Sequence, residues 1–229
     1  MFKNRVTDVF FDLDHTLWDF EKNSALTFET ILPAHGVTVP LETFLEVYVP
    51  ANLKFWKMYR EEKITKSELR YQRLKSVFDT LEYTVSDDCI NSLAEEYINQ
   101  LSSHSYLFPN VVAVLNYLKP NYTLHIITNG FQEIQEKKLR NSGIHHYFNQ
   151  VIDSEMAGVK KPDPIIFNLA LERAKVSPDS ALMIGDSLEA DILGARGAGL
   201  HALHFNAHGE AVHEHCPMIT DLWEIKSYL

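Results

Sequence analysis

The sequence is poor in features that define several classes of protein. Its 229 residues include only two cysteines, Cys89 and Cys216, which lie far apart and form no CxxC pair. We expect both to be small, buried apolar side chains in a reducing compartment. No apolar run of about 18 residues occurs, which excludes a helical membrane span. Asp8 and Asp12 stand where a signal peptide needs its apolar stretch, so we predict a soluble cytoplasmic protein with no membrane partner.

Basic residues are also scarce. The chain has 21 lysines and arginines against 31 aspartates and glutamates, which gives a formal net charge of −10. This excess of negative charge repels polyanions, so we expect no nucleic acid polymer as a partner. The composition is otherwise that of a globular protein, with 45% hydrophobic residues. A chain of this length buries roughly 70% of the surface that its unfolded form exposes, and needs no disulfide or structural metal to fold.

Two parts of the chain show the pattern of an α/β protein. Residues 6–11 form a short β-branched and aromatic run without helical period, which predicts a buried strand. After residue 105, helical segments alternate with four further predicted strands, at 123–128, 151–153, 181–184 and 202–205. Such alternation predicts a parallel sheet that is covered by helices on both faces.

The segment between these two parts contains only helical patterns. Four amphipathic helices are predicted there, with a break or kink at Pro50 and a capping box of Thr65 and Glu68 at the start of the third. Short connections between such helices predict a small bundle. We therefore predict a doubly wound α/β core from residues 1–17 and 105–229, with a four-helix domain, residues 18–104, inserted after the first strand.

Polar residues follow three of the predicted strands. In open parallel sheets, ligands bind at the carboxyl ends of the strands, so we expect these residues to converge. The three groups are Asp12, Asp14 and Thr16; Thr128, Asn129 and Gly130; and Gly185, Asp186 and Ser187.

The residue types in these groups suit phosphoryl transfer. Two carboxylates on one turn, Asp12 and Asp14, allow one to attack while the other exchanges a proton. A carboxylate that attacks a phosphate dianion needs a cation beside it, and Asp186 would complete an all-oxygen site suited to Mg²⁺. The Thr128 hydroxyl and neighbouring backbone N–H groups would bind phosphoryl oxygens, and a lysine from residues 158–163 would neutralise the remaining charge.

In chain order, these residues resemble the four motifs of the haloacid dehalogenase superfamily of phosphotransferases. The motifs are D-x-D-x-T at residues 12–16, Thr128 at a strand end, Lys161 before Pro162, and Gly185-Asp186 with Asp191 five residues later. The resemblance covers the whole chain and implies that the helical insertion is the cap domain of this superfamily.

The resemblance also implies roles for the residues. Asp12 would form an aspartyl-phosphate, and Asp14 would protonate the leaving oxygen and then deprotonate water. Mg²⁺ would bind the Asp12 carboxylate, the Asp14 backbone carbonyl and Asp186, while Asp191 would order metal-bound water or the lysine. Thr128, Asn129, Gly130 and Lys161 would bind the phosphoryl group. Lys161 is preferred to Lys160 because it directly precedes the proline.

A closer resemblance is to the pyrimidine 5′-nucleotidase branch with a helical cap, on the strings at residues 11–18, 127–131, 185–194 and 206–208. It implies a Mg²⁺-dependent nucleoside 5′-monophosphatase, whose partner is a small phosphorylated metabolite. N-acylneuraminate 9-phosphatases share some of these strings, so a sugar-phosphate phosphatase or phosphomutase stays an alternative. Asp14 favours a phosphatase over a dehalogenase, since only an alkoxide leaving group needs a proton. It also argues against an inert phosphate-binding protein.

Other conspicuous side chains are predicted to be structural. Five of the 11 histidines lie between His201 and His215, which we predict to be a surface loop rather than a transition-metal site. Trp18 and Phe20 are predicted to pack in the interior, with stacking on a substrate base as the alternative.

Overall fold

The structure, a computed structural model, describes all 229 residues and divides into two compact units. One unit contains Met1–Phe20 together with Ser105–Leu229, and the other contains Glu21–His104. The sequence placed the first boundary after residue 17 and the second after residue 104. The second unit is thus an insertion into the chain of the first. None of the helices combines the length and apolar character that crossing a membrane requires.

The first unit contains a six-stranded parallel sheet in the order β3-β2-β1-β4-β5-β6. This arrangement confirms the α/β fold with a parallel sheet that the sequence predicts, and it adds a sixth strand of two residues. The strands are β1 (Asp8–Phe11), β2 (Thr123–Thr128), β3 (Phe148–Asp153), β4 (Ala181–Gly185), β5 (His201–Phe205) and β6 (Met218–Ile219). The earliest strand in the chain, β1, lies between β2 and β4.

A polar pair stabilises the start of the central strand. Asp8 is buried in β1, where its carboxylate accepts hydrogen bonds from the Thr7 hydroxyl at 2.7 Å and from Nε2 of His125 at 2.9 Å. His125 lies on β2 and stacks on Phe10, with 4.6 Å between the ring centroids. The strand begins at Asp8, two residues later than the sequence predicts. The hydrogen bonds to Asp8 offset the cost of burying its carboxylate.

Four helices form almost all of the second unit: α1 (Phe20–Ala34), α2 (Leu41–Arg60), α3 (Lys66–Thr80) and α4 (Asp87–Gln100). The predicted break at Pro50 is wrong, because α2 continues through it. Pro50 and Glu46 are both exposed, so solvent can satisfy the Glu46 carbonyl that the proline leaves without its helical donor. The capping box of Thr65 and Glu68 is present at the start of α3.

The interior of the second unit contains a cluster of aromatic rings. Phe28 lies at the centre, with ring centroids 4.5 Å from Tyr48, 4.6 Å from Tyr97 and 4.8 Å from Phe44. Aromatic side chains of this size bury much apolar surface, and explain how four short helices hold together.

Five further helices surround the sheet: α5 (Val111–Leu118), α6 (Gln132–Asn141), α7 (Ser154–Ala157), α8 (Pro164–Ala174) and α9 (Gly194–Gly197). Before α9, residues Leu188–Leu193 form a π-helix rather than the α-helix that the periodicity predicts. The predicted last helix is a 3₁₀-helix, Leu222–Ser227. On one face of the sheet, Phe10, Ile127 and Met183 pack with Ile166 and Phe167 of α8 in a continuous buried cluster.

Candidate active site

Three adjacent strands bring the predicted polar groups to one edge of the sheet. Phe11 of β1 is paired with Ile126 of β2 and with Ile184 of β4. Asp12, directly after β1, continues this pairing by donating its backbone N–H to the Ile184 carbonyl at 2.9 Å. The residues that end β2 and follow β4 therefore flank Asp12, as expected from the rule for parallel sheets.

Lys161 lies at the centre of the site. Its ammonium donates hydrogen bonds of 2.6 Å to Oδ1 of Asp12, 2.6 Å to Oδ1 of Asp191 and 2.7 Å to the Ile127 carbonyl. The residue is only 2% exposed. The Asn129 side chain holds the lysine backbone from both sides, since its Oδ1 accepts from the Lys161 N–H at 2.7 Å and its Nδ2 donates to the Lys161 carbonyl at 3.0 Å. Of the two adjacent lysines, it is Lys161 whose ammonium contacts Asp12.

Three carboxylates lie close together in the site, and two of them bond to this ammonium. Asp12, Asp186 and Asp191 each offer an oxygen atom, and these oxygens lie within 4.8 Å of one another. All are hard oxygen donors of the kind that Mg²⁺ prefers, and two or three such side chains are enough for a Mg²⁺ site that retains water. One lysine offsets only part of their charge, so the donor set fits a divalent cation.

The surroundings change the acidity of each group differently. Burial raises the pKa of Asp12 well above its ordinary value, although Lys161 opposes this, and burial also raises the pKa of Asp191. Burial acts in the same direction on Asp186, but His208, His15 and the Thr16 hydroxyl outweigh it and lower its pKa. Burial alone would lower the pKa of Lys161, yet Asp12 and Asp191 raise it, so the lysine stays charged.

Three side chains contact Asp186, and two of them, His204 and His208, lie outside the predicted set of site residues. The Thr16 hydroxyl donates to Oδ1 of Asp186 at 2.9 Å, and Nε2 of His208 lies 3.7 Å from Oδ2. His204, fully buried in β5, donates from Nε2 to the Asp186 backbone carbonyl at 2.7 Å. Its Nδ1 shares a hydrogen bond with Nε2 of His213 at 2.8 Å. The histidine-rich stretch is therefore not wholly a surface loop, since His204 is a core residue that supports the site.

The π-helix explains how Asp191 reaches Lys161. The wide turn is closed by a bond from the Ile192 N–H to the Ser187 carbonyl at 3.2 Å. In this turn, Oδ2 of Asp191 accepts from the Ser187 N–H at 3.0 Å, and Oδ1 of Asp191 accepts from the Lys161 ammonium. Such π-bulges are frequent at functional sites.

Gly185 leaves the space that the Asp191 carboxylate occupies. A Cβ atom at residue 185 would lie 2.3 Å from Oδ2 of Asp191, well inside van der Waals contact. We expect Gly185→Ala to displace Asp191 and with it Lys161, and to lower kcat by about 10²-fold, since errors of about 1 Å in an active site have effects of this size. Steady-state kinetics of the variant and the wild type measure this change in kcat. Gly197→Ala is the matched control, because no atom lies within 4 Å of its added Cβ; equal activity of the two variants would contradict the prediction.

Asp14 has a different environment from Asp12. Its Oδ1 accepts from Nζ of Lys138 at 2.5 Å, and its Oδ2 accepts from Nε2 of Gln135 at 2.9 Å. The same Gln135 nitrogen donates to the Thr128 hydroxyl oxygen at 2.7 Å. Sequence analysis missed Gln135 and Lys138. The signal that could have found them is their spacing of three residues on the helix that follows Thr128.

The remaining predicted residues lie beside this network. The Thr128 oxygen accepts from the Gly130 N–H at 3.1 Å as well as from Gln135, so the hydroxyl keeps its own hydrogen for donation. Gly130 thus contacts Thr128 through its backbone, and Asn129 acts through its bonds to Lys161. Trp18 is fully buried, in agreement with interior packing.

A model of the haloacid dehalogenase-like hydrolases matches residues 9–199. The chain belongs to this family, as its motifs indicate, and is therefore an enzyme of the hydrolase class. It is 35% identical to the pyrimidine 5′-nucleotidase YjjG of Escherichia coli over 202 residues, which are 87% of this chain and 86% of YjjG. It is also 35% identical to the pyrimidine 5′-nucleotidase PynA of Streptococcus pneumoniae, over 86% of this chain and 83% of PynA.

A solved structure shows the same fold along the whole chain. The HAD-hydrolase YfnB of Bacillus subtilis, in a crystal form bound to magnesium, superimposes with a TM-score of 0.88. The sequences are 28% identical, and the match covers 98% of each chain. The family resemblance and the fold class predicted from the sequence are both confirmed.

Proposed function

We propose that this enzyme, a phosphatase of the haloacid dehalogenase type, hydrolyses nucleoside 5′-monophosphates with a pyrimidine base, using Asp12 as nucleophile and Mg²⁺ as cofactor. The observation that supports this reaction is that two carboxylates on one turn have different surroundings. Asp12 bonds to a buried ammonium and lies within 4.8 Å of two further carboxylates, whereas Asp14 accepts hydrogen bonds from a lysine and an amide. Two carboxylates in such different environments can take the separate roles of nucleophile and acid–base group.

In the first half-reaction, an Asp12 oxygen bonds to phosphorus while the bond from phosphorus to the ester oxygen breaks. Asp14 gives its proton to that oxygen, so the nucleoside leaves as a neutral alcohol. Lys161 and the Thr128 hydroxyl bind the phosphoryl oxygens during the transfer. In the second half-reaction, Asp14 takes a proton from a water molecule while the water oxygen bonds to phosphorus. The bond from phosphorus to the Asp12 oxygen breaks, which releases inorganic phosphate.

The metal would be held by the Asp12 carboxylate, the Asp14 backbone carbonyl and Asp186. When bound, Mg²⁺ supplies positive charge that reduces the repulsion between the Asp12 carboxylate and the phosphate dianion. Asp191 keeps Lys161 in position from the opposite side, as its 2.6 Å bond to the ammonium indicates. The separate unit of residues 21–104, proposed to be the cap, would select the substrate.

The proposal of a pyrimidine base is supported by the 35% identity of this chain to each of two pyrimidine 5′-nucleotidases, YjjG and PynA. A panel of pyrimidine and purine nucleoside 5′-monophosphates and sugar phosphates, assayed for released phosphate with Mg²⁺ or EDTA, tests the proposal. We expect the highest kcat/KM for a pyrimidine nucleotide and no turnover with EDTA. Higher kcat/KM for sugar phosphates, isomerised sugar phosphate with little free phosphate, or binding without any hydrolysis would each contradict it. Asp12→Asn serves as the blank for contaminating phosphatases.

A further inference from the structure

Two long polar side chains of α6 are buried beside Asp14. Gln135 is 1% exposed and Lys138 is 2% exposed. Lysine is almost never buried without a partner, because the loss of hydration must be offset by other charges or hydrogen bonds. Helix α6 also carries Lys137, which is exposed. Burial of Lys138 therefore reflects its place on the helix face turned to Asp14, and not a general property of this segment.

The two side chains hold both oxygens of Asp14. Lys138 contacts Oδ1 at 2.5 Å and Gln135 contacts Oδ2 at 2.9 Å, so the plane of the carboxylate is fixed by two donors on one rigid helix. Gln135 gives its second hydrogen to the Thr128 oxygen at 2.7 Å. The amide thus connects Asp14 with the hydroxyl proposed to bind phosphate, which fixes the distance between them.

The aromatic rings of Trp18 and Phe20 support Lys138 from the other side. Its ammonium lies 4.3 Å from the Trp18 ring centroid and 5.4 Å from that of Phe20, both within the range of cation–π attraction. Trp18 belongs to the same turn as Asp14, because its carbonyl accepts from the His15 N–H at 3.0 Å. The turn therefore carries both the carboxylate and the ring between which Lys138 is held.

Packing alone does not account for Gln135. Its Oε1 is buried without a hydrogen-bond partner, which costs free energy that an apolar side chain would avoid. Gly130 also leaves room for it, since a Cβ there would lie 2.3 Å from Nε2 of Gln135. What the amide provides here is its two donor bonds, to Asp14 and to Thr128.

We propose that Gln135 and Lys138 are positioning residues that hold Asp14 in the orientation for proton transfer to the leaving oxygen. This inference rests on the proposed function, in which Asp14 protonates an alkoxide. It follows that loss of either residue impairs substrates in proportion to the basicity of their leaving group. A nucleoside 5′-alkoxide is strongly basic and needs the proton, whereas a nitrophenolate leaves without it. A merely structural role would lower both activities equally.

The test compares kcat/KM for uridine 5′-monophosphate and for p-nitrophenyl phosphate, because kcat/KM includes the steps up to departure of the leaving group. Gln135→Met keeps the length of the side chain, Lys138→Met keeps most of it, and both remove the donors. We expect the ratio of the two kcat/KM values, nucleotide over aryl ester, to fall by about 10²-fold in each variant, the lower limit of a general acid's contribution. Lys138→Arg should recover part of the ratio, and Lys137→Met, on the exposed face, should leave it unchanged.

Asp14→Asn separates failure of this inference from failure of the proposed function. If Asp14→Asn leaves the ratio unchanged, the proposed role of Asp14 is wrong. If it lowers the ratio but Lys138→Met and Gln135→Met lower both activities equally or not at all, only the positioning role is overturned. The double variant Asp14→Asn/Lys138→Met should have the ratio of Asp14→Asn alone, and a further drop would count against a shared pathway. If Lys138→Met does not fold, Gln135→Asn provides the same measurement.

Discussion

Replacement of Asp12 by asparagine is expected to abolish hydrolysis, with a fall in kcat of about 10⁵-fold or more, as found when a covalent nucleophile is removed. The amide keeps the shape of the side chain but is a poor nucleophile, and it removes one charge from the carboxylate cluster. Release of phosphate from a nucleoside monophosphate in the presence of Mg²⁺ measures the effect. Mass spectrometry of rapidly quenched wild-type enzyme should find a phosphoryl group on Asp12, and the variant should carry none.

The folded structure should survive this substitution. Lys161 keeps its bonds to Asp191 and to the Ile127 carbonyl, and burial, which raises the pKa of Asp12, already disfavours a charged side chain at this position. Asp12→Asn should therefore still unfold in one cooperative transition, although loss of the Lys161–Asp12 ion pair should lower its melting temperature. Asp179→Asn, at an exposed position of the same unit, controls for the chemical change itself. Substantial turnover by Asp12→Asn would rule out Asp12 as the nucleophile.

Substitution of Lys161 by alanine should have the second largest effect, a loss of about 10³-fold in kcat/KM. The ammonium contacts Asp12 at 2.6 Å and is the charge proposed to bind the phosphoryl group. Loss of one donor from a preorganised anion site costs about 10² to 10³-fold, and the loss of a positive charge beside the nucleophile adds to this. Lys160→Ala is the matched control, since the Lys160 side chain is not within the cluster. Equal losses in the two variants would contradict the assignment of Lys161.

The same substitution should weaken the fold. Without Lys161, the buried carboxylates of Asp12 and Asp191 lose the ammonium that pairs with both, and removal of one partner from a buried ion pair costs about 3 to 5 kcal/mol of unfolding free energy. Urea denaturation measures this loss. Added Mg²⁺ should stabilise Lys161→Ala more than the wild type, because a divalent cation replaces part of the missing charge. An unchanged midpoint for Lys161→Ala would show that the carboxylates are neutral in the folded protein.

Much of the candidate site could be predicted because its residues follow strands. A buried apolar run followed by Asp12 or Asp186 identifies both the strand and the end at which ligands bind. The sequence did not predict Gln135 and Lys138 as site residues, because they lie on the strongly polar helix α6. Polar residues of such a helix, QEIQEKKLRN, are expected to face solvent. Besides their spacing of three residues, the positions of Ile134 and Leu139, adjacent to them on the same buried face, were the signal that they face the interior.

The local geometry of two elements could not be predicted for a related reason. Helical periodicity locates a buried face but does not distinguish hydrogen bonds of α type from those of π type, so the turn that directs Asp191 to Lys161 was not visible. The break predicted as one alternative at Pro50 is absent because solvent access to the Glu46 carbonyl reduces the cost of the missing hydrogen bond.

The central position of β1 has a consequence for the order in which the protein is built. Strand β1 leaves the ribosome before the other strands, but its neighbour β4 comes only at residues 181–185, so the strand that precedes Asp12 stays without this neighbour until most of the chain is made. Contacts that close such long loops form slowly, whereas those within residues 21–104 are local and form quickly. During synthesis, the helical insertion can therefore fold first and keep the apolar strand β1 attached to a compact body until its partners emerge.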